Sequence, residues 1–284
     1  MLSRLRTYAS FVRFSHSVFA LPFALVGMIL AARTEGFVWS RLIWIVACMV
    51  SARSAAMGFN RLVDAAYDAR NPRTASRELP TGRMTLTEAQ VFVAVSSVVF
   101  IACSYPLGGI CFVLSPIALA IVFWYSLAKR VTSYTQAFLG LAMAVAPVGG
   151  WLAAGGGASL EPWLLGLAIG CWVGGFDILY ACQDVEFDRR EGLLSIPTRF
   201  GVARAILISR ILHVATILAL AAVGLRGSLG PVYGAGVVLV AVLLTWEQSL
   251  VRADDLSQVK RAFDMNGWVG VLYFVTTVVA VYWR

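Results

Sequence analysis

The chain has 284 residues, 60% of them hydrophobic and 13% charged, about half the charged share of a soluble domain. With a mean hydropathy of +0.79, it has too little polar surface for a soluble globular enzyme, a disordered protein or an exposed nucleic-acid binder. The net charge of +8 sits in short basic patches between apolar runs, the pattern of a membrane protein with basic cytosolic loops.

Residues 1–13 carry Arg4, Arg6 and Arg13 and read as a short, amphipathic cytosolic arm. No small-residue cleavage site leads from it into a soluble remainder, so it is not read as a signal peptide. Apolar runs of spanning length then recur at about 14–34, 41–62, 88–108, 111–128, 136–155, 162–184, 202–224, 230–250 and 266–283. They predict an all-α integral membrane fold of about nine transmembrane helices, with residues 1–284 forming one intramembrane domain in contact with lipid. The five cysteines (Cys48, Cys103, Cys111, Cys171 and Cys182) lie inside apolar runs without a CxxC pair, and read as core residues. His16 and His213 are too few for a histidine metal centre.

Charge sets the orientation. Most of the 23 Lys and Arg side chains lie in the arm or at the second, fourth, sixth and eighth connections. Only Arg33, Arg41, Arg226 and Arg284 fall on the other side, while Arg53 and Arg210 lie within spans. The positive-inside rule then places the N-terminus and the even connections in the cytosol, in the cell membrane.

Two connections are acidic as well as basic. In the first, Asn60, Asp64 and Asp68 are spaced i, i+4, i+8 and stack on one helix face. Arg53 lies on nearly the same face two turns deeper. In the second, Asp177, Asp184 and Asp188 share a face, with Tyr180 close to it. The similar endings suggest two related halves, each presenting carboxylates at the same membrane face. Carboxylates repelling one another along a helix need a cation to hold them. Two facing rows plus an amide oxygen make an all-oxygen site suited to Mg²⁺, which commonly bridges protein carboxylates to substrate phosphates. Arg73, Arg77, Lys129 and Arg130, on the same face, could clamp diphosphate oxygens.

Blander readings stand beside these. The clusters could be solvated helix ends, Lys129 and Arg130 could be membrane anchors, and Tyr125 and Tyr180 could be interfacial aromatics. Arg53 and Asp177 argue more sharply, because a charge within an apolar span costs at least about 2.5–3.5 kcal/mol. Arg53 either pairs with an acid or receives an anionic substrate group such as an aromatic carboxylate. Arg210, near neither cluster, has no assignment. A transporter would also place ionisable groups in a helical bundle, but nearer mid-membrane and beside Gly/Pro breaks.

The motif Asn60-x3-Asp64-x3-Asp68 followed by Arg73-Thr-Ala-Ser-Arg77-Glu-Leu-Pro-Thr-Gly82 resembles the UbiA-type family of intramembrane aromatic prenyltransferases. So does Tyr180-x3-Asp184-x3-Asp188 with Ser195-Ile-Pro-Thr-Arg199-Phe-Gly201. The resemblance extends over essentially the whole chain. It implies helices around a central cavity, polyprenyl diphosphate and an aromatic acid as substrates, and no obligate protein partner. It implies Asn60, Asp64 and Asp68 as ligands of one Mg²⁺ and Asp184 and Asp188 of another, with these carboxylates catalytic. Arg73, Arg77, Lys129 and Arg130 resemble the family's diphosphate-side residues, and Tyr125, Asp177 and Tyr180 would border the substrates. Arg53 matches the position that meets the acceptor carboxylate in 4-hydroxybenzoate enzymes. Where proteobacterial 4-hydroxybenzoate enzymes typically read Arg-Pro-Leu-Pro, this chain has Arg77-Glu-Leu-Pro. With the segment 174–188 it looks most like a bacterial and archaeal branch of the family, part of which is linked to menaquinone, so the resemblance leaves both 4-hydroxybenzoate and 1,4-dihydroxy-6-naphthoate as acceptors.

Overall fold

Long apolar runs with small residues at helical spacing form helices in a membrane because every backbone polar group must be satisfied within its own segment. The computed structural model, describing residues 7, 8, 10–12 and 21–283, is built accordingly. The long helices are α1 (Leu21–Glu35), α2 (Trp39–Arg70), α3 (Leu86–Ser104), α4 (Gly109–Ala128), α5 (Thr135–Ala153) and α6 (Glu161–Ala181). After the short α7 (Val185–Arg190) and α8 (Ile196–Phe200) come α9 (Val202–Arg226), α10 (Gly230–Leu250) and α11 (Val259–Tyr282). Among the described residues there is no β-strand, and eight helices, α2 to α6 and α9 to α11, are long and apolar enough to cross a membrane. The first expected span, 14–34, is described only from Leu21, where it is helical as α1. Arg4, Arg6, Arg13 and His16 lie outside the described residues. Of the arm, Phe11 and Val12 are buried in a cluster with Met84 and Ala89.

Three boundaries differ from expectation. Helix α2 runs on to Arg70, two turns past the apolar stretch, because the carboxylates on that overhang are each neutralised by basic partners. Helix α11 begins at Val259, not 266: its first turns are polar, but Val259 and Ala262 are buried against Leu179 and Ile206. The second acidic cluster does not lie on one continuous helix. Helix α6 ends at Ala181, a tighter three-residue turn spans Cys182–Asp184, and α7 follows. Such a turn advances about 120° per residue instead of about 100°, so it rotates Asp184 off the row that helical spacing predicts.

Apolar side chains face outwards at helical spacing, as with Val91, Val95 and Val98 on α3 and Ile211, Val214 and Leu218 on α9. The interior uses small residues for close approach. A Cβ added at Gly150 on α5 would collide with the Ala24 carbonyl of α1, and one at Gly140 would collide with the Gly170 carbonyl of α6. Aromatic contacts complete the core: Trp172 meets Phe23 and Phe176 edge-to-face, with centroids 4.9 and 5.6 Å apart.

The even connections gather at one end of the bundle. Leu194 donates its backbone N–H to the Lys129 carbonyl at 2.8 Å, and Arg73 reaches Asp184. At the other end, the Arg33 and Arg41 guanidiniums donate to the Gly227 and Ala154 carbonyls, capping α9 and α5.

Gly150→Val should push α1 off α5 and cost about 1–3 kcal/mol. Thermal unfolding of the detergent-solubilised protein should show a melting temperature lowered by several degrees. Gly149→Ala should leave it unchanged, since a Cβ at Gly149 meets nothing within 4 Å.

Candidate active site

The end at which the even connections meet contains a cavity of about 250 Å³. Asn60, Asp64 and Asp68 of α2 line one wall, and Asp177, Asp184 and Asp188 line the opposite one. Arg73, Arg77, Tyr125 and Lys129 complete the set of expected residues that border it. Arg130 and Tyr180 stand one contact behind, through Asp64 and Arg73 respectively. Arg53 is half-buried on α2 outside the lining, within electrostatic reach of Tyr125. Arg210 is exposed on α9 and does not border the cavity.

The i, i+4, i+8 spacing does place three polar groups on one face of α2. Asp64 and Asp68 are 4% and 7% exposed, so their charges need partners. Lys129 Nζ lies 2.7 Å from one Asp64 oxygen and Arg130 Nη2 lies 2.8 Å from the other. Asn60 Nδ2 donates to Asp64 at 3.3 Å and to Ser126 Oγ at 3.4 Å. Arg130 also donates to the carbonyls of Val63 and Ser126, which fixes the end of α4 against α2. Arg77 Nη1 contacts both Asp68 oxygens at 2.7 and 2.8 Å, and the Thr74 hydroxyl donates to the Asp68 carbonyl.

On the facing wall, Arg73 binds Asp184 bidentately: Nη2 at 2.6 Å and Nε at 3.2 Å. It also donates to the Tyr180 hydroxyl at 3.2 Å and lies 5.5 Å from that ring's centroid. Burial works against the Arg73 charge, but Asp184 and Tyr180 outweigh it and hold the guanidinium above its ordinary pKa. Arg73 thus ties the connection after α2 to the one after α6, and Arg70 adds a 3.0 Å pair with Glu191.

The sequence reading missed Tyr67. Its ring has Arg70, Arg130 and Lys129 at 5.1, 5.2 and 5.9 Å from the centroid, so the aromatic ring steadies Arg130 and Lys129, the two cations that hold Asp64. The signal was available, since Tyr67 lies three residues after Asp64 on the same face. Ser126 and Thr74 were also missed.

Among the described residues, no three Asp, Glu, His or Cys side chains converge closely enough to hold a metal, because their counter-ions are Lys and Arg. The donors themselves fit a hard cation. All are oxygens, they line both walls of one cavity, and Asp188 is bound directly to no basic side chain.

The comparisons agree with this geometry. The UbiA prenyltransferase family model matches residues 20–270. A 4-hydroxybenzoate octaprenyltransferase of Tolumonas auensis is 32% identical over 242 residues, covering 85% of this chain and 84% of that protein. One of Yersinia pseudotuberculosis is 31% identical, covering 81% and 80%. The apo structure of a UbiA homolog from Aeropyrum pernix K1 superposes with a TM-score of 0.86 at 33% identity, covering 93% of this chain and 98% of that one. A UbiA homolog from Archaeoglobus fulgidus, bound to GPP and Mg²⁺, shares the fold with a TM-score of 0.78 at 18% identity, covering 97% and 99%. The chain belongs to the UbiA prenyltransferase family and is a multi-pass membrane prenyltransferase.

Proposed function

We propose that this enzyme transfers a polyprenyl chain from polyprenyl diphosphate to a ring carbon of 4-hydroxybenzoate, a step of ubiquinone-type synthesis, at a cavity facing the cytosol. The observation that carries the reading is one cavity in which two walls of carboxylates face each other with Arg73, Arg77 and Lys129 between them. The names of the curated relatives support the choice of acceptor. The rival acceptor, 1,4-dihydroxy-6-naphthoate, rests on the likeness of Arg77-Glu-Leu-Pro and the segment 174–188 to one branch of the family. Clustering of the charges at one end of the bundle, together with family membership, counts against a transporter.

Asn60, Asp64, Asp68, Asp184 and Asp188 are the donors that would hold Mg²⁺, which when bound supplies positive charge to the departing diphosphate. The basic residues have a second use. Lys129, Arg130, Arg77 and Arg73 neutralise carboxylates without substrate, and turn to the diphosphate oxygens when those carboxylates acquire another cation. Tyr67 keeps Lys129 and Arg130 close during this exchange. Leu139, Phe187 and Leu193 line the cavity with apolar surface that keeps water from the allylic cation. To Arg53, two turns earlier on α2 and outside the cavity lining, we assign the acceptor's carboxylate, on its match to the family position and its electrostatic reach to the lining residue Tyr125.

Membranes containing the enzyme, supplied with labelled polyprenyl diphosphate and Mg²⁺, should form lipid-soluble product from 4-hydroxybenzoate, and EDTA should abolish it. Product from the naphthoate alone would reassign the acceptor; product from neither would sink the reading. Asp64→Asn and Asp184→Asn should each lower turnover by a factor of about 10² or more while the protein stays in the membrane. Near-normal turnover in either variant would remove these residues from the site. Tyr67→Leu should raise the KM for prenyl diphosphate several-fold, as expected for losing about 1 kcal/mol of cation–π attraction, and Tyr67→Phe should keep it close to wild type.

A further inference from the structure

Three of the cavity's carboxylates are matched directly with cations: Asp64 with Lys129 and Arg130, Asp68 with Arg77, and Asp184 with Arg73. Asp188 has Lys129 and Arg73 within electrostatic reach. Asp177 differs from all four. It borders the cavity, is half-buried on α6, and makes no hydrogen bond or ion pair with any described residue. The charge that acts on it is that of Asp184, another carboxylate. An acid within an apolar span and without a cation costs several kcal/mol and calls for a use.

Its place suggests that use. Asp177 precedes Asp184 by seven residues and Arg53 precedes Asn60 by seven, so each lies on the membrane-span side of its motif residue. Tyr125 joins them, within electrostatic reach of both Arg53 and Asp177. The inner end of the site thus has a phenol on α4 and an unpaired carboxylate on α6, with the Arg53 guanidinium of α2 behind the lining. The outer end holds the clusters assigned above to the diphosphate.

Resting on the function proposed above, we propose that Asp177 is the base that removes the ring proton of the acceptor. The allylic C–O bond breaks and its electron pair leaves with the diphosphate. The ring carbon then forms the new C–C bond, giving a cationic ring with one hydrogen too many. The Asp177 carboxylate takes that proton, the C–H pair restores the aromatic ring, and the neutral carboxylic acid returns the proton to water as product leaves.

The test uses purified full-length enzyme as wild type, Asp177→Asn and Asp177→Glu, with 4-hydroxybenzoate unlabelled or deuterated beside the hydroxyl. Asp177→Asn should lower kcat by a factor of about 10² or more, within the range for a lost general base. It should also reveal a primary deuterium isotope effect that wild type lacks, because proton removal becomes rate-limiting. Asp177→Glu should recover much of the rate and suppress the isotope effect. Calorimetric binding of geranyl diphosphate with Mg²⁺ should match wild type in both variants. Three outcomes overturn the assignment: an Asp177→Asn kcat close to wild type, a slowed enzyme without an isotope effect, or lost geranyl diphosphate binding. A wild type that makes no product from 4-hydroxybenzoate removes the underlying reading, and this proposal with it, before any variant is compared.

Discussion

The structure depends on neutralising carboxylates that are nearly out of water. Asp64 and Asp68 are almost fully buried, and an isolated buried carboxylate costs several kcal/mol. The cations that hold them come from elsewhere in the chain: Lys129 and Arg130 from the end of α4, and Arg77 from the connection after α2. Removing one partner of such a pair typically costs about 3–5 kcal/mol, because the other charge is left stranded. The ion pairs therefore dictate local structure. They let α2 run two turns past its apolar stretch, and they pin connections that carry little apolar surface of their own.

An arrangement stabilised only by apolar packing could not also accept a metal diphosphate. Salt bridges can, because each member keeps its charge when its partner changes. Asp64 with Lys129 and Arg130, or Asp184 with Arg73, can part without exposing a lone ion, provided a cation and an anion arrive together. Binding one alone leaves half of the set uncompensated, which is a physical reason for metal and diphosphate to bind as a unit. The Tyr67 ring, with Lys129 and Arg130 within 6 Å of its centroid, limits how far these two travel in the exchange.

How much of this was legible depended on the range of the interaction. Spans follow from local hydropathy, and the α2 row follows from helical spacing, so both were readable from residues close in sequence. Arg73 and Asp184 are 111 residues apart, and nothing local says which of several arginines faces which acid. The break at Cys182–Asp184 was hidden for a related reason. An uninterrupted helix is the default reading of the apolar run before it, and the turn makes sense only once Arg73 is known to reach across from the other wall. Tyr67 had a signal, three residues after Asp64, but an aromatic near a membrane interface has a bland explanation that masked it. Arg53 was recognisable as costly in its span, yet its position outside the cavity lining depends on the packing of α2 against α4.

A second buried polar system shows what the site is not. Glu247 on α10 is 1% exposed and accepts a hydrogen bond from Asn266 Nδ2 at 3.1 Å, while Asn266 Oδ1 accepts from Trp172 Nε1 at 2.7 Å. These groups join α6, α10 and α11 without a cation and without bordering the large cavity. From Trp172 the contacts run through Phe176 and Phe263 to Tyr180, which receives the Arg73 hydrogen bond. The wall that receives Arg73 is thus braced from behind by side-chain hydrogen bonds and aromatic packing, neither of which can exchange with an ionic ligand. Rigidity on that side confines the response to substrate to the charged side chains at the cavity, whose partners are the exchangeable ones.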